Sequence, residues 1–156
     1  MDDSDKIRRI LGRSRTIAVV GLSAQWHRPS YFAAKYMQEH GYRIIPVNPT
    51  YDEILGEKCF KSLRDIPVAV DIVDCFRKSA EIPAIAEEAV AIGAKVLWMQ
   101  LGVESAEARA RAEAAGLEVV ENRCVKIEHG RFFGGLGWVG VNTRVISAKR
   151  ASPPGG

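Results

Sequence analysis

The 156-residue chain lacks the features that would place it in a membrane, around a metal or in an oxidising compartment. No apolar run approaches the ~20 residues of a membrane-spanning helix. The opening Met1-Asp2-Asp3-Ser4-Asp5 is acidic and no long apolar stretch follows it, so it does not read as a signal peptide. Cysteine is scarce. Cys59, Cys75 and Cys124 are odd in number and show no C-x-x-C spacing, which argues against a disulfide scaffold or zinc ribbon. They are expected as packed thiols in a reducing, cytoplasmic setting. The three histidines, His27, His40 and His129, are too scattered to suggest a metal site and are expected at the surface or on helix edges. There is no basic tract. Net charge is +3, and the small cluster Arg8, Arg9, Arg13 and Arg15 reads as a solvated helix face, so no nucleic-acid partner is expected. No P-loop lysine motif, nucleophile elbow or Cys/His pair appears, and no catalytic residue is assigned.

What the chain does have is a rhythm of short β-branched runs alternating with helical stretches that end at glycine. Ile7, Ile10 and Leu11 predict an amphipathic helix ended by Gly12. Thr16 to Gly21 is apolar without alternation, as expected of a strand covered on both faces. Ser30 reads as the N-cap of a helix reaching Glu39 or His40, stopped by Gly41. Arg43 to Asn48 predicts a second strand, with Pro46 expected near a strand end or bulge. Thr50 to Leu63 reads as irregular. Strands are predicted at Asp71–Phe76, Lys95–Met99 and Leu117–Val120. Helices are predicted with Pro83 in the first turn and an apolar stripe from Ile82 to Val90, ending at Gly93, and over Glu104–Ala115, ending at Gly116. Asp71 reads as a hydrogen-bonding residue at a strand start. Asp71 and Asp74 should face opposite ways, so they are not an acid/base pair. Trp26 and Trp98 read as packing residues. The succession is βαβαβ: a single α/β domain, Rossmann-like, with a five-stranded parallel sheet and helices on both faces. The domain is expected over residues 1–129, with 130–156 a partly disordered C-terminal extension.

Ligands of open parallel sheets bind beyond the carboxyl ends of the strands, where strand order reverses. The residues after the predicted strands are Gly21, Leu22 and Ser23; Asn48 and Pro49; Phe76 and Arg77; Gln100, Leu101 and Gly102. Glycine lets backbone approach a phosphate, and a helix start offers free N–H groups. Arg28 in the same loop offers a fork of donors to phosphate oxygens. The loop Gly21-Leu22-Ser23-Ala24-Gln25-Trp26-His27 is not the G-x-G-x-x-G of dinucleotide sites, and Val47-Asn48-Pro49 lacks the acid that accepts from NAD ribose hydroxyls.

Several blocks in order resemble a known family: Val20-Gly21-Leu22-Ser23, Arg28-Pro29-Ser30, Gly41 to Pro49, Ile54-Leu55-Gly56, Ser62-Leu63, Asp71-Ile72-Val73, Phe76-Arg77 and Trp98-Met99-Gln100-Leu101-Gly102. They are similar to the small stand-alone CoA-binding proteins, relatives of the CoA-binding domain of the succinyl-CoA synthetase alpha subunit. The likeness runs from about Ile7 to Glu128. It implies coenzyme A, or an acyl-CoA, held across the carboxyl edge of the sheet. Gly21, Ser23 and Arg28 would then face the phosphates, with Leu22 a binding residue of the same loop. Asn48 and Pro49 would lie beside the nucleotide, Phe76 and Arg77 at the adenine or its ribose phosphate, and Gln100 and Gly102 toward the pantetheine. The expected role is non-catalytic binding. The alternatives are a subunit of an acyl-CoA-processing complex that needs a partner chain, and an NAD(H)-responsive interaction protein.

Overall fold

A computed structural model describes residues 3–134. Helix α1 (Asp3–Arg13) leads into strand β1 (Thr16–Val20), helix α2 (Pro29–Glu39) and strand β2 (Arg43–Val47). A two-stranded hairpin, β3 (Glu53–Ile54) and β4 (Glu57–Lys58), and a 3-10 turn at Leu63–Asp65 lead to β5 (Ile72–Cys75). Then come a 3-10 turn at Ser79–Glu81, α3 (Ile82–Ala91), β6 (Val96–Met99), α4 (Ala106–Ala114), β7 (Glu118–Val120), α5 (Val125–His129) and a π-helical turn over Gly130–Gly134.

The main sheet has the order β2-β1-β5-β6-β7 and every pair is parallel. From β1 the chain steps outward to β2 and then returns past β1 to β5. The reversal of direction therefore falls between β1 and β5. Period-two alternation divides the strands between two apolar layers. Ile17, Val19, Ile72, Val96 and Trp98 face one way, onto Ile7, Ile10, Leu11, Ala33, Ala34, Met37 and Val125 of α1, α2 and α5. Ala18, Val73, Cys75, Leu97 and Met99 face the other, onto Ile82, Ala86, Ala89, Ala108 and Ala112 of α3 and α4. Small alanines let the second helix pair lie close on the sheet. Trp98 is fully buried, and its indole N–H donates to the Arg123 carbonyl at 2.8 Å. The Asp71 carboxylate receives the Arg15 and Thr16 N–H groups at 2.8 and 3.0 Å, pinning the start of β1 beside β5.

Both sheet edges are partly occupied. Outside β2, Phe60 bridges to Val47, its N–H donates to the Pro46 carbonyl at 2.9 Å, and its carbonyl receives the Asn48 N–H at 2.9 Å. Pro46 fits within β2 because β2 is an edge strand. The missing N–H shares the outward side of its own carbonyl, away from β1. At the far edge β7 has three residues. Lys6 donates to its Val119 carbonyl, and Arg9 and Arg13 both pair with its Glu118.

Several local expectations are corrected. Helix α1 runs through Gly12 to Arg13. Pro29 opens α2 and Arg28 takes the N-cap position without a side-chain bond, while the Ser30 hydroxyl accepts the Ser23 N–H at 3.0 Å. The stretch read as irregular holds the β3–β4 hairpin, turned on Leu55 (φ 56°) and Gly56 (φ 77°). His129 is buried rather than peripheral. Its Nδ1 lies 3.0 Å from the Tyr36 hydroxyl, and its ring packs near His40, Tyr42 and Phe133. Trp26, read as a packing residue, is 71% exposed. Residues 130–134 continue the last helix as a π turn, with Phe132 and Phe133 against the first apolar layer. The rest of the expected extension, 135–156, lies outside the described residues.

Candidate functional site

At the carboxyl edge, loops after β1, β2, β5 and β6 open into a cleft of about 900 Å³, and α5 closes one end of it. The cleft straddles the β1–β5 reversal, the place where an open parallel sheet leaves room between diverging connections. Gly21 marks its centre. Its φ is +88°, and a Cβ there would stand 2.4 Å from the Phe76 carbonyl oxygen. Glycine is thus required for the two strand-end loops to close on each other. That need is structural before it concerns any ligand.

The loop Leu22–Arg28 is tied down at several points. Besides the Ser23–Ser30 bond, the Gln25 N–H donates to the Ser23 hydroxyl at 3.0 Å and the Arg28 N–H to the Gln25 carbonyl at 3.0 Å. Asn48 braces it from β2. Its Nδ2 donates to the Leu22 carbonyl at 3.0 Å, and its Oδ1 accepts the Thr50 N–H at 2.9 Å. The first turn of α2 opens on this cleft through Pro29 and Ser30. Pro29 has no N–H and those of Arg28, Tyr31 and Phe32 go to the Gln25 and Arg28 carbonyls, which leaves the Ser30 N–H without an acceptor among the described residues, and the helix dipole adds partial positive charge there.

Charge in the cleft is unevenly divided among its loops. Arg28, Arg77 and Lys78 line it beside the β1 and β5 loops, with one carboxylate, Glu81. Arg77 donates through Nε and Nη2 to Glu81 Oε1 at 2.9 and 2.7 Å. Among the described residues Arg28 and Lys78 form no ion pair. The lining from the β6 loop and from α5 with its N-cap, Gln100, Leu101, Val103, Cys124 and Ile127, carries no charged side chain. Leu101 and Ile127 are 66% and 55% exposed, an apolar lip on a polar cleft. Gln100 is 4% exposed, and its Nε2 donates to the fully buried carboxyl of Asp74 at 2.5 Å. Burial pushes the Asp74 carboxyl up to about 7, with the Gln100 bond opposing. Burial also raises the Cys75 thiol, helped by the Asp74 charge.

Of the residues singled out from sequence, the cleft gathers Gly21, Ser23, Arg28, Asn48, Phe76, Arg77 and Gln100. Leu22 is a core residue, fully buried, and contributes the carbonyl that Asn48 holds. Pro49 lines an adjoining hollow of about 340 Å³, which meets the cleft at Gly21, Arg77 and Glu81. Gly102 lies outside the cleft lining, its N–H bonded to Asn122 Oδ1 at 2.7 Å. Sequence reasoning missed Lys78 and Glu81, which a longer look past the β5 end would have found. It also missed Tyr51, Cys124 and Ile127, which arrive from the hairpin region and from a five-residue helix too short to show a period. A second hollow, about 500 Å³ at the amino edge, is lined by Arg13, Lys95 and Glu118 among others, but Arg13 and Glu118 already pair with each other.

Comparison with known proteins places these observations in a family. A family model described as a CoA binding domain matches residues 15–130. The chain is 45% identical over 124 residues to the uncharacterized protein YneT of Bacillus subtilis (strain 168), covering 80% of this chain and 92% of that one. It is 31% identical over 81 residues to an ADP-forming acetate–CoA ligase of Methanocaldococcus jannaschii, covering 52% of this chain and only 12% of the ligase. A solved structure of a hypothetical protein from Pyrococcus horikoshii OT3 superposes with a TM-score of 0.82 at 43% identity, covering 84% of this chain and 92% of that one. A family model that spans the whole sheet, from β1 to the end of α5, and a relative of matching length make the chain a member of the CoA-binding domain family.

Proposed function

We propose that this chain binds coenzyme A, or a short acyl-CoA, in the carboxyl-edge cleft and acts there as a binding module rather than a catalyst. The polarity of the cleft supports this reading most. Coenzyme A is anionic at its phosphorylated nucleotide and neutral along its pantetheine arm. Arg28 and the start of α2 follow β1 and Arg77 and Lys78 follow β5, whereas Gln100, Leu101, Val103 and Ile127 come from the β6 loop and α5. Arginine forks and helix N–H groups bind phosphate oxygens through charge-assisted hydrogen bonds. The uncharged lining shelters an arm of amides and methylenes. Neighbouring strands lie about 4.8 Å apart, so β2 to β6 spans roughly 14 Å, room for an extended ligand to lie across the strand ends.

The donor set fits the ligand. Gly21 allows the β1 and β5 loops to meet, the Leu22–Arg28 loop is held by its own hydrogen bonds, and the guanidinium groups stay at the surface. NAD(H) fits less well. The end of β2 offers Asn48 with both polar groups engaged, and Val47-Asn48-Pro49 has no carboxylate for ribose hydroxyls. A role as one subunit of a larger acyl-CoA-processing complex draws support from the ligase likeness, and it requires the same binding site.

Titration calorimetry with coenzyme A, dephospho-CoA, NAD and FAD tests the proposal. Coenzyme A is expected to bind most tightly. Dephospho-CoA should bind roughly tenfold or more weakly, the loss of one charge-assisted contact. Absence of coenzyme A binding at millimolar concentration overturns it.

A further inference from the structure

The side chain that packing least explains is Asp74. It occupies β5 between Val73 and Cys75, level with Val19 of β1 and Trp98 of β6, and is 1% exposed. Every other residue of β5 is apolar or a thiol. Among the described residues no cation and no backbone N–H reaches the Asp74 carboxyl, and its one partner is Gln100 Nε2. Burying a carboxyl in this way costs several kcal/mol, which an aliphatic residue would avoid.

Gln100 is the exit from that buried position to the cleft. It is itself 96% buried by its 4% exposure, yet it forms part of the cleft lining. The amide nitrogen of Gln100 is the arm turned to Asp74, donating to Oδ1, a role that oxygen can always fill once the carboxyl is ionised, above about pH 7. The other arm of the planar amide, Oε1, then has no donor among the described residues. A buried acceptor left unpaired is destabilising, and a ligand N–H would satisfy it.

We propose that Asp74 is a positioning residue: by holding the Gln100 amide nitrogen it turns the Gln100 carbonyl oxygen toward the cleft, where that oxygen accepts a hydrogen bond from an amide N–H on the neutral arm of the ligand. The inference rests on the coenzyme A reading and adds to it the residue pair that reads the arm. Asp74 itself touches no ligand.

The test compares two ligands by calorimetry: coenzyme A, and adenosine 3′,5′-bisphosphate, which shares the phosphorylated nucleoside but lacks the arm. Asp74→Asn is nearly isosteric and offers an N–H to Gln100 Oε1, so it lets the amide turn around and present its NH₂ to the cleft. This variant is expected to bind coenzyme A about 3- to 10-fold more weakly, the value of one hydrogen bond. Its affinity for the bisphosphate should stay within about twofold of wild type. Gln100→Met should show the same selective loss, and combining the two substitutions should add little beyond either one. Equal weakening of both ligands makes Asp74 merely structural and overturns the inference, as does unchanged coenzyme A affinity or full additivity. Should Asp74→Asn not fold, Gln100→Met alone decides, with the same selective loss required. If wild type binds no coenzyme A, the functional reading itself fails, an outcome distinct from binding that ignores Asp74.

Discussion

Glu81 governs how available the Arg77 guanidinium is to an anion in the cleft. Both of the Arg77 hydrogen bonds to it end on one carboxylate oxygen. An incoming phosphate must either share the guanidinium or displace the carboxylate, while being repelled by it. Glu81→Gln removes the repulsion and keeps an acceptor for Arg77. It should tighten coenzyme A binding by roughly 3- to 10-fold at low ionic strength, with the gain shrinking in high salt as exposed charges are screened. Calorimetry at two salt concentrations checks both parts. Gly21 works differently. A side chain there must adopt a left-handed backbone and displace the Phe76 carbonyl, so Gly21→Ala should cost at least about 2 kcal/mol of stability. A drop in urea midpoint that coenzyme A does not fully restore is the expected result. Gly21 and Arg77 were legible in the sequence because strand-end position and residue chemistry coincide at each, and Arg28 because its guanidinium lies in the loop that follows β1. The engagement of Arg77 by Glu81 was not legible, since it depends on how a 3-10 turn follows β5.

At the scale of elements, the site depends on a brace between two loops. Asn48, at the end of β2, supports the β1 loop through the Leu22 carbonyl and its own turn through the Thr50 N–H. Asn48→Ala leaves both groups without a protein partner. It should lower stability by about 1–2 kcal/mol and weaken coenzyme A binding as the loop loosens, measured by thermal melting and calorimetry on the same samples. The parallel strands were readable because Thr16–Val20 and Val96–Met99 are apolar without alternation, the mark of strands covered on both faces. Their helices were readable from apolar spacing and the glycines that stop them. The β3–β4 hairpin escaped because Leu55 takes a left-handed conformation that its side chain does not advertise. Helix α5 escaped because five residues contain too little of a 3.6-residue period. Two of the newly found lining residues, Cys124 and Ile127, lie at or in that helix, so the unread element and the unread end of the cleft are the same gap.

For the molecule as a whole, two buried groups give stability an unusual pH profile. His129 is held down from 6.5 to about 4 by burial and then by the charge of His40. Its contribution to stability is full above its unfolded value and is lost as pH falls through about 4. Asp74 is pushed up from 3.8 to about 7, so its contribution is full below 3.8 and is lost as pH rises through about 7. Between roughly pH 4 and 6.5 the two slopes oppose each other. Wild-type stability should therefore be nearly flat there. Asp74→Asn removes one slope and exposes the other: the variant should lose on the order of 1 kcal/mol per pH unit on acidification across that window. Urea denaturation at a series of pH values measures this, and a variant profile as flat as wild type would refute it.

The partly occupied edges of the sheet have a further consequence. Among the described residues, Phe60 occupies the Pro46–Asn48 end of the outer rim of β2 and Lys6 caps the short β7, so neither border of the sheet offers a long free ladder of donors and acceptors to an extended foreign segment. Recruitment by strand annealing, and fibril growth by the same route, would first have to peel away a piece of the native chain.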